Sequence, residues 1–127
     1  MIDVNNGTFS LDDDLVIAPG YTFGQFRKTK YYAGQNPERA FWLEETFEFH
    51  DHSFKVGLFF RGETIYILSL LCCDKSFDME EEEKRKIYHD GILESWAIAQ
   101  SDYPWGRIKS EYDSKSNISS IDVVFNC

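Results

Sequence analysis

The sequence predicts an α+β fold: an antiparallel sheet with a central meander, one main amphipathic helix over about 79–99, and a C-terminal hairpin. Three observations carry that expectation. Between Phe41 and Cys73 apolar residues recur at every second position. From Asp78 the spacing changes to that of a helix, and beyond Pro104 it returns to alternation. Strands therefore come in one block, then a helix, then a strand pair, without the regular strand–helix alternation of a parallel sheet. A length of 127 residues suits one domain spanning 1–127, able to bury roughly two-thirds of its unfolded surface.

Phe9, Leu11, Leu15 and Ile17 read as strand interrupted by Asp12-Asp13-Asp14, and Pro19-Gly20 ends it. Thr22 and Gln25 have capping-box spacing, which predicts a short helical turn from Thr22 to about Lys28. Residues 29–39, with Gly34 and Asn36-Pro37, read as a loop carrying two exposed tyrosines, Tyr31 and Tyr32. Over Phe41–Phe49, residues Phe41, Leu43, Phe47 and Phe49 share one parity, and Trp42, Glu44, Thr46, Glu48 and His50 share the other. That is a half-buried strand with a polar outer face, and Glu45 breaks its inner row as a bulge would. After the turn His50-Asp51-His52-Ser53, Phe54–Phe60 repeats the alternation. After Arg61-Gly62-Glu63, the segment Thr64–Cys73 is apolar on both parities, as in a central strand covered on each side. These three antiparallel strands should bury Phe47, Phe49, Val56 and Leu58.

Asp78 and Glu81 form a second capping box, with glutamates at the positive end of the coming helix. Glu80–Lys84, Glu81–Arg85 and Glu82–Lys86 stand at i,i+4 in the favourable orientation. Tyr88, Ile92, Trp96 and Ala99 line the inner side, flanked by Ile87 and Leu93, and the helix ends before Ser101-Asp102-Tyr103-Pro104. Gly106–Asp113 and Ile118–Phe125 alternate around the turn 114–117 and close the fold as a hairpin.

Charge and aromaticity together set the function class. A net charge of −9 sits on a chain that is 17% aromatic, whereas acidic chains that stay disordered are poor in aromatics. A folded acidic surface speeds encounter with positive partners and repels nucleic acid. The basic runs Arg27-Lys28-Thr29-Lys30 and Lys84-Arg85-Lys86 are short, so no direct nucleic-acid binding is expected. The apolar run Ile65 to Cys73 is interrupted by Ser69 and is too short to span a bilayer, so no membrane partner is expected. The N-terminal stretch lacks the basic and apolar regions of a signal peptide, which points to the cytoplasm. Cys72 and Cys73 are adjacent and Cys127 stands apart, an odd count that reads as buried reduced thiols, not as a disulfide framework.

Two constellations could carry chemistry. On a strand, His50 and His52 would share a face and could grip a metal ion, with His89 or Glu48 as a third ligand. A catalytic zinc needs three protein ligands and the sequence offers one local pair, so His-Asp-His reads as a polar turn with no metal and no cofactor. A thiol nucleophile at Cys72 or Cys73 would need an exposed electropositive setting, and both lie in an apolar run of an acidic protein. No nucleophile elbow, P-loop, dinucleotide fingerprint or HExxH motif occurs. The chain therefore reads as a non-enzyme. A metal- or thiol-dependent enzyme with a site near His50, His52 and His89 is the alternative.

What remains is the acidic surface: Asp12-Asp13-Asp14, the row Glu44, Glu48 and Asp51, and Glu80 to Glu83. Helix pairing accounts for the last cluster. Glu44 and Glu48 share their face with Trp42 and His50, and an aromatic beside unpaired acids is interface-like. Trp105 is either a second anchor or a core residue closing the helix–strand corner. The expected partner-binding set is Trp42, Glu44, Glu48 and Asp51, with Trp105 as a possible anchor and Asp12, Asp13 and Asp14 next.

A small acidic chain with a meander, one amphipathic helix and a closing hairpin resembles bacterial immunity proteins, in particular those that protect against contact-dependent growth inhibition toxins. The residues that carry this are the acidic runs at Asp12 to Asp14 and Glu44 to Glu48, the strand pair through Phe54 to Cys73, and the ending from Trp105-Gly106-Arg107-Ile108 to Phe125. Immunity proteins share no common fingerprint, so the resemblance transfers no functional residue. It implies stoichiometric binding to a cognate toxin C-terminal domain, commonly a basic nuclease, in a complex that leaves room for a third protein.

Overall fold

The structure, a computed structural model, describes residues 2–126. Its frame is a six-stranded antiparallel sheet built from two meanders. The first is β4 (Phe41–Phe49), β5 (His52–Arg61) and β6 (Thr64–Cys72). The second is β7 (Ser101–Tyr103), β8 (Gly106–Asp113) and β9 (Ile118–Phe125). β6 pairs with β9, so the order across the sheet is β4-β5-β6-β9-β8-β7. Between the meanders, a 3₁₀ turn (Met79–Glu81) leads into helix α2 (Glu82–Ser95). Ahead of them lie a small sheet of β1 (Ile2–Asp3), β2 (Thr8–Ser10) and β3 (Val16–Ile17), and the one-turn helix α1 (Phe23–Phe26).

The period-2 reading holds along the first meander. Phe47, Phe49, Val56 and Leu58 are all buried, and the register slips between Trp42 and Thr46 where Glu45 breaks the pattern. His50 and Asp51 are the two loop residues of the β4–β5 hairpin, with φ of 49° and 69°. That is the type I′ requirement, met here without glycine. The Thr22/Gln25 capping box forms as expected: the Gln25 N–H donates to Thr22 Oγ1 at 3.1 Å, and the Thr22 N–H donates to Gln25 Oε1 at 2.9 Å.

All covering elements lie on one face. Phe9 of β2 meets Phe49 edge-on at 5.6 Å, Phe26 of α1 packs on Phe41 and Phe60, and α2 lies over β8 and β9. On the opposite face Phe59, Tyr66, Ile67, Ser69, Leu71, Ser120, Asp122 and Val124 all stay partly exposed. β6 is therefore buried on one side only, which corrects the expectation of a strand covered on both. Its outer residues Tyr66, Ile67 and Leu71 are apolar although no layer of the described residues covers them.

Helix α2 differs from its sequence reading in three ways. It ends at Ser95, where Ala97 takes φ 58° and the Ile98 and Ala97 N–H groups donate to the Leu93 and Glu94 carbonyls, a Schellman stop before Ala99 is reached. Ile87 is exposed, and Ile92, Leu93 and His89 form the buried side. Among the described residues the helix ion pairs run Glu81–Lys84 and Glu82–Arg85 at i,i+3 and Lys86–Asp90 at i,i+4, in place of the three expected pairs. Glu82 leaves the exposed row because it is buried: its side chain accepts from the Ser119 N–H at 3.1 Å and its carbonyl from the Ser119 hydroxyl at 2.6 Å. Ala97→Gly should stabilise the protein by about 0.5–1 kcal/mol, because relief of the left-handed strain exceeds the extra backbone entropy of glycine. Thermal unfolding checks this, and no gain in Tm would contradict the helix stop.

Further differences are local. Residues 101–103 form the edge strand β7, which three residues without apolar alternation could not announce. Tyr31 is buried on Phe47 at 5.2 Å, and only Tyr32 is exposed. Cys72 is buried but Cys73 is exposed, and Cys127 lies outside the described residues.

Candidate functional site

The open face of the six-stranded sheet carries the surface that the outer row of β4 pointed to. Trp42 is 42% exposed and stands across from Gly57 on β5. Its ring lies so close to that glycine that a Cβ there would meet it at 2.9 Å. Absence of a side chain at 57 thus makes room for the exposed indole against the neighbouring strand. Glu44 and Glu48 follow it along β4, both exposed, and Asp51 stands at the hairpin tip. From Trp42 to Asp51 the row extends roughly 20 Å, the bulge and the turn shortening it. Lys55 crosses toward it and donates to the Glu44 carbonyl at 2.6 Å, and the Ser53 hydroxyl approaches Glu48 at 3.5 Å. Neither carboxylate has a cation bound to it as an ion pair among the described residues.

Beside Trp42 the face is concave. A groove of about 430 Å³ runs from Trp42 and Phe59 across Ile67 and Ser69 to β8 and β9. Its far wall holds Glu111, Asp113 and Asp122, and no lysine or arginine lines it. Asp122 is held in place by hydroxyl donors, Ser69 at 2.7 Å and Ser120 at 2.8 Å. The groove thus has an aromatic wall and an acidic wall. These three acids were missed in the sequence, although the parity of β8 and β9 marks them as outward: Glu111 and Asp113 alternate with Ser110 and Tyr112, and Asp122 lies between Ile121 and Val123.

The other expected binding residues lie elsewhere. Trp105 is a core residue, 8% exposed, stacked on Tyr103 at 5.3 Å and donating its Nε1–H to the Val4 carbonyl at 2.8 Å. It pins the N-terminal strands and is not available as an anchor. Asp12 and Asp14 are occupied within the fold. Asp12 accepts from the Asp14 and Leu15 N–H groups and from the Tyr31 hydroxyl, and Asp14 accepts from the Lys30 N–H at 2.9 Å. Burial raises the Asp12 carboxyl, and the hydrogen bonds led by Tyr31 outweigh it, leaving its pKa below the ordinary value. Asp13 and Asp14 stay exposed, and Tyr31, which packs on Phe47, ties the run to the covered face of the sheet.

The histidines do not assemble as the alternative reading required. His50 packs near Trp96 at 6.0 Å, while His89 is fully buried and accepts from the Cys72 N–H at its Nε2, 3.0 Å away. Its Nδ1 has no hydrogen-bond partner among the described residues. Burial, reinforced by Arg85, lowers its pKa to about 4. His52 Nδ1 instead meets Asp74 Oδ2 at 3.1 Å, on a carboxylate that also accepts from the Cys72 thiol and, at 3.2 Å, from the Tyr88 hydroxyl. Burial and the bond to Asp74 push the Cys72 thiol up to about 12, so at neutral pH, with no cation beside it, it is protonated and buried. That arrangement does not supply a thiolate nucleophile.

No family model matches the sequence, and no curated protein and no solved structure matches it. No helix among the described residues is long and apolar enough to cross a membrane.

Proposed function

We propose that the protein acts by stoichiometric binding, as an immunity protein that covers a basic toxin domain, most simply a nuclease, in the cytoplasm of the bacterium that makes it. The observation that carries this reading is the open sheet face, where an exposed indole seated on Gly57 borders a groove lined by three carboxylates and no lysine or arginine. A toxin surface built to hold phosphates is rich in lysine and arginine, and this face complements it. Trp42 supplies the large apolar contact, the groove receives cationic side chains, and the Glu44–Glu48 row steers the approach. None of this needs a catalytic group.

Co-expression with the toxin domain encoded beside the protein's gene tests the reading. The expected result is restored growth and a one-to-one complex, with Trp42→Ala weakening binding by about 2 kcal/mol, roughly thirtyfold in Kd, through faster dissociation. Wild-type protein that neither protects nor forms a complex with that domain would remove the immunity reading. Protection that Trp42→Ala leaves intact would keep the function and remove this face.

A further inference from the structure

We propose that His52, Cys72 and Asp74 form a binding site for a divalent transition-metal ion of the zinc class, at the end of the β5–β6 pair where helix α2 covers it. The strand register builds it. Phe54 pairs with Cys72, and one step further the Cys73 N–H donates to the Ser53 carbonyl at 2.8 Å. Residues 52 and 54 share one face of β5, and 72 and 74 continue the matching face from β6, so an imidazole, a thiol and a carboxylate converge. Their ligand atoms all lie within 4.8 Å of one another. Two ligands of a tetrahedral zinc stand roughly 3.5 Å apart, so closing the set on an ion needs only small side-chain movements. Of the local histidine pair only His52 takes part, and the other two ligands come from across the strands, at the end of β6 and just beyond it.

The surroundings hold these ligands in place. The Cys72 backbone is gripped on both sides by α2, its N–H donating to His89 Nε2 and its carbonyl accepting from Arg85. Tyr88 on the same helix donates to Asp74. Such outer contacts orient metal ligands. Without metal, imidazole, thiol and phenol all point protons at one carboxylate. When the ion binds, the thiol proton leaves to solvent and His52 carries its remaining proton on Nε2. The thiolate and the carboxylate then neutralise a 2+ charge. Thiolate with imidazole selects zinc or cobalt over magnesium and calcium. His52 and Asp74 side chains are 22% and 26% exposed, which leaves a path in and room for water as a fourth ligand.

Metal-stripped full-length protein titrated with cobalt(II) and zinc(II) tests this. The expected result is one equivalent of cobalt bound with a near-ultraviolet thiolate-to-cobalt charge-transfer band, displaced by zinc and unaffected by excess magnesium. His52→Gln and Asp74→Asn, both at partly exposed positions, should each weaken binding at least about tenfold, since losing a ligand costs no less than losing an outer partner. Cys72→Ser should abolish the band, while Cys73→Ser and His50→Asn should leave it. Absence of a stoichiometric band would overturn the proposal. So would a band that follows Cys73 or His50, or one that is indifferent to His52 and Asp74.

Discussion

Trp105→Ala should destabilise the protein by about 4 kcal/mol and lower its Tm by roughly 15 °C, the largest effect expected from a single substitution here. The side chain stacks on Tyr103 and packs on Phe125, so truncation leaves a cavity between β7, β8 and β9. It also removes the indole donor that satisfies the Val4 carbonyl. On the N-terminal side the loss cannot be repaired by collapse alone. Gly7 has φ 75°, and a Cβ there would meet the indole at 2.4 Å, so ring and turn are fitted to one another. The N-terminal strands should therefore loosen first, visible as lost amide protection in β1 and β2. A cost under 1 kcal/mol would mean that Trp105 is not a core residue and would reopen its role as a binding anchor.

Stability should fall by about 3 kcal/mol as the pH drops from 6.5 to 4, mainly through one residue. His89 has a pKa of about 4 in the fold against 6.5 when unfolded, with burial as the main cause and Arg85 adding to it. Asp90 and Asp74 pull the other way and only partly offset these. As acid is added the unfolded chain takes up the proton first. The contribution of neutral His89 is thus complete above about pH 6.5 and drains at roughly 1.4 kcal/mol per unit until pH 4. Asp12, Asp74 and Asp90, all held below 3.8, lose their contribution mainly at lower pH, and the exposed Glu81, held below 4.5 by its bond to Lys84, enters only at the acid end of the window, so most of the slope belongs to the histidine. Denaturant midpoints across this range measure the slope. His89→Gln keeps an acceptor for the Cys72 N–H without titrating, and should flatten it. A wild-type slope unchanged in that variant would contradict the assignment.

How much of this was legible in the sequence depended on whether the determinant was local. The first meander was legible because one buried face forces apolar residues into alternation, and because a bulge leaves its mark as a displaced glutamate at position 45. The β8–β9 hairpin was legible for the same reason. Helix α2 was readable in kind but not in detail: its stop depends on the conformation of Ala97, and the sequence pattern could not tell that Glu82 would turn inward to meet Ser119 on a strand formed much later in the chain. Tyr31 looked exposed because nothing nearby reveals that Asp12 would accept its hydroxyl. The proposed binding face divides in the same way. Trp42, Glu44 and Glu48 follow from parity on one strand. The acidic wall of the groove needs β9 to pair with β6, and the His52–Cys72–Asp74 cluster needs the register of β5 on β6, both set by long-range packing.

The measurement that bears most directly on the proposed function is the association rate with the isolated toxin domain as a function of salt, for wild type and for the Glu44→Lys, Glu48→Lys double variant. Exposed charges act mainly on encounter, and salt screens them over about 8–10 Å. The wild-type rate should be high at low salt and fall steeply as salt is added. The double reversal should slow association at least about tenfold at low salt and flatten that dependence, with dissociation nearly unchanged. Identical rates and identical salt slopes for the two proteins would contradict binding through this face.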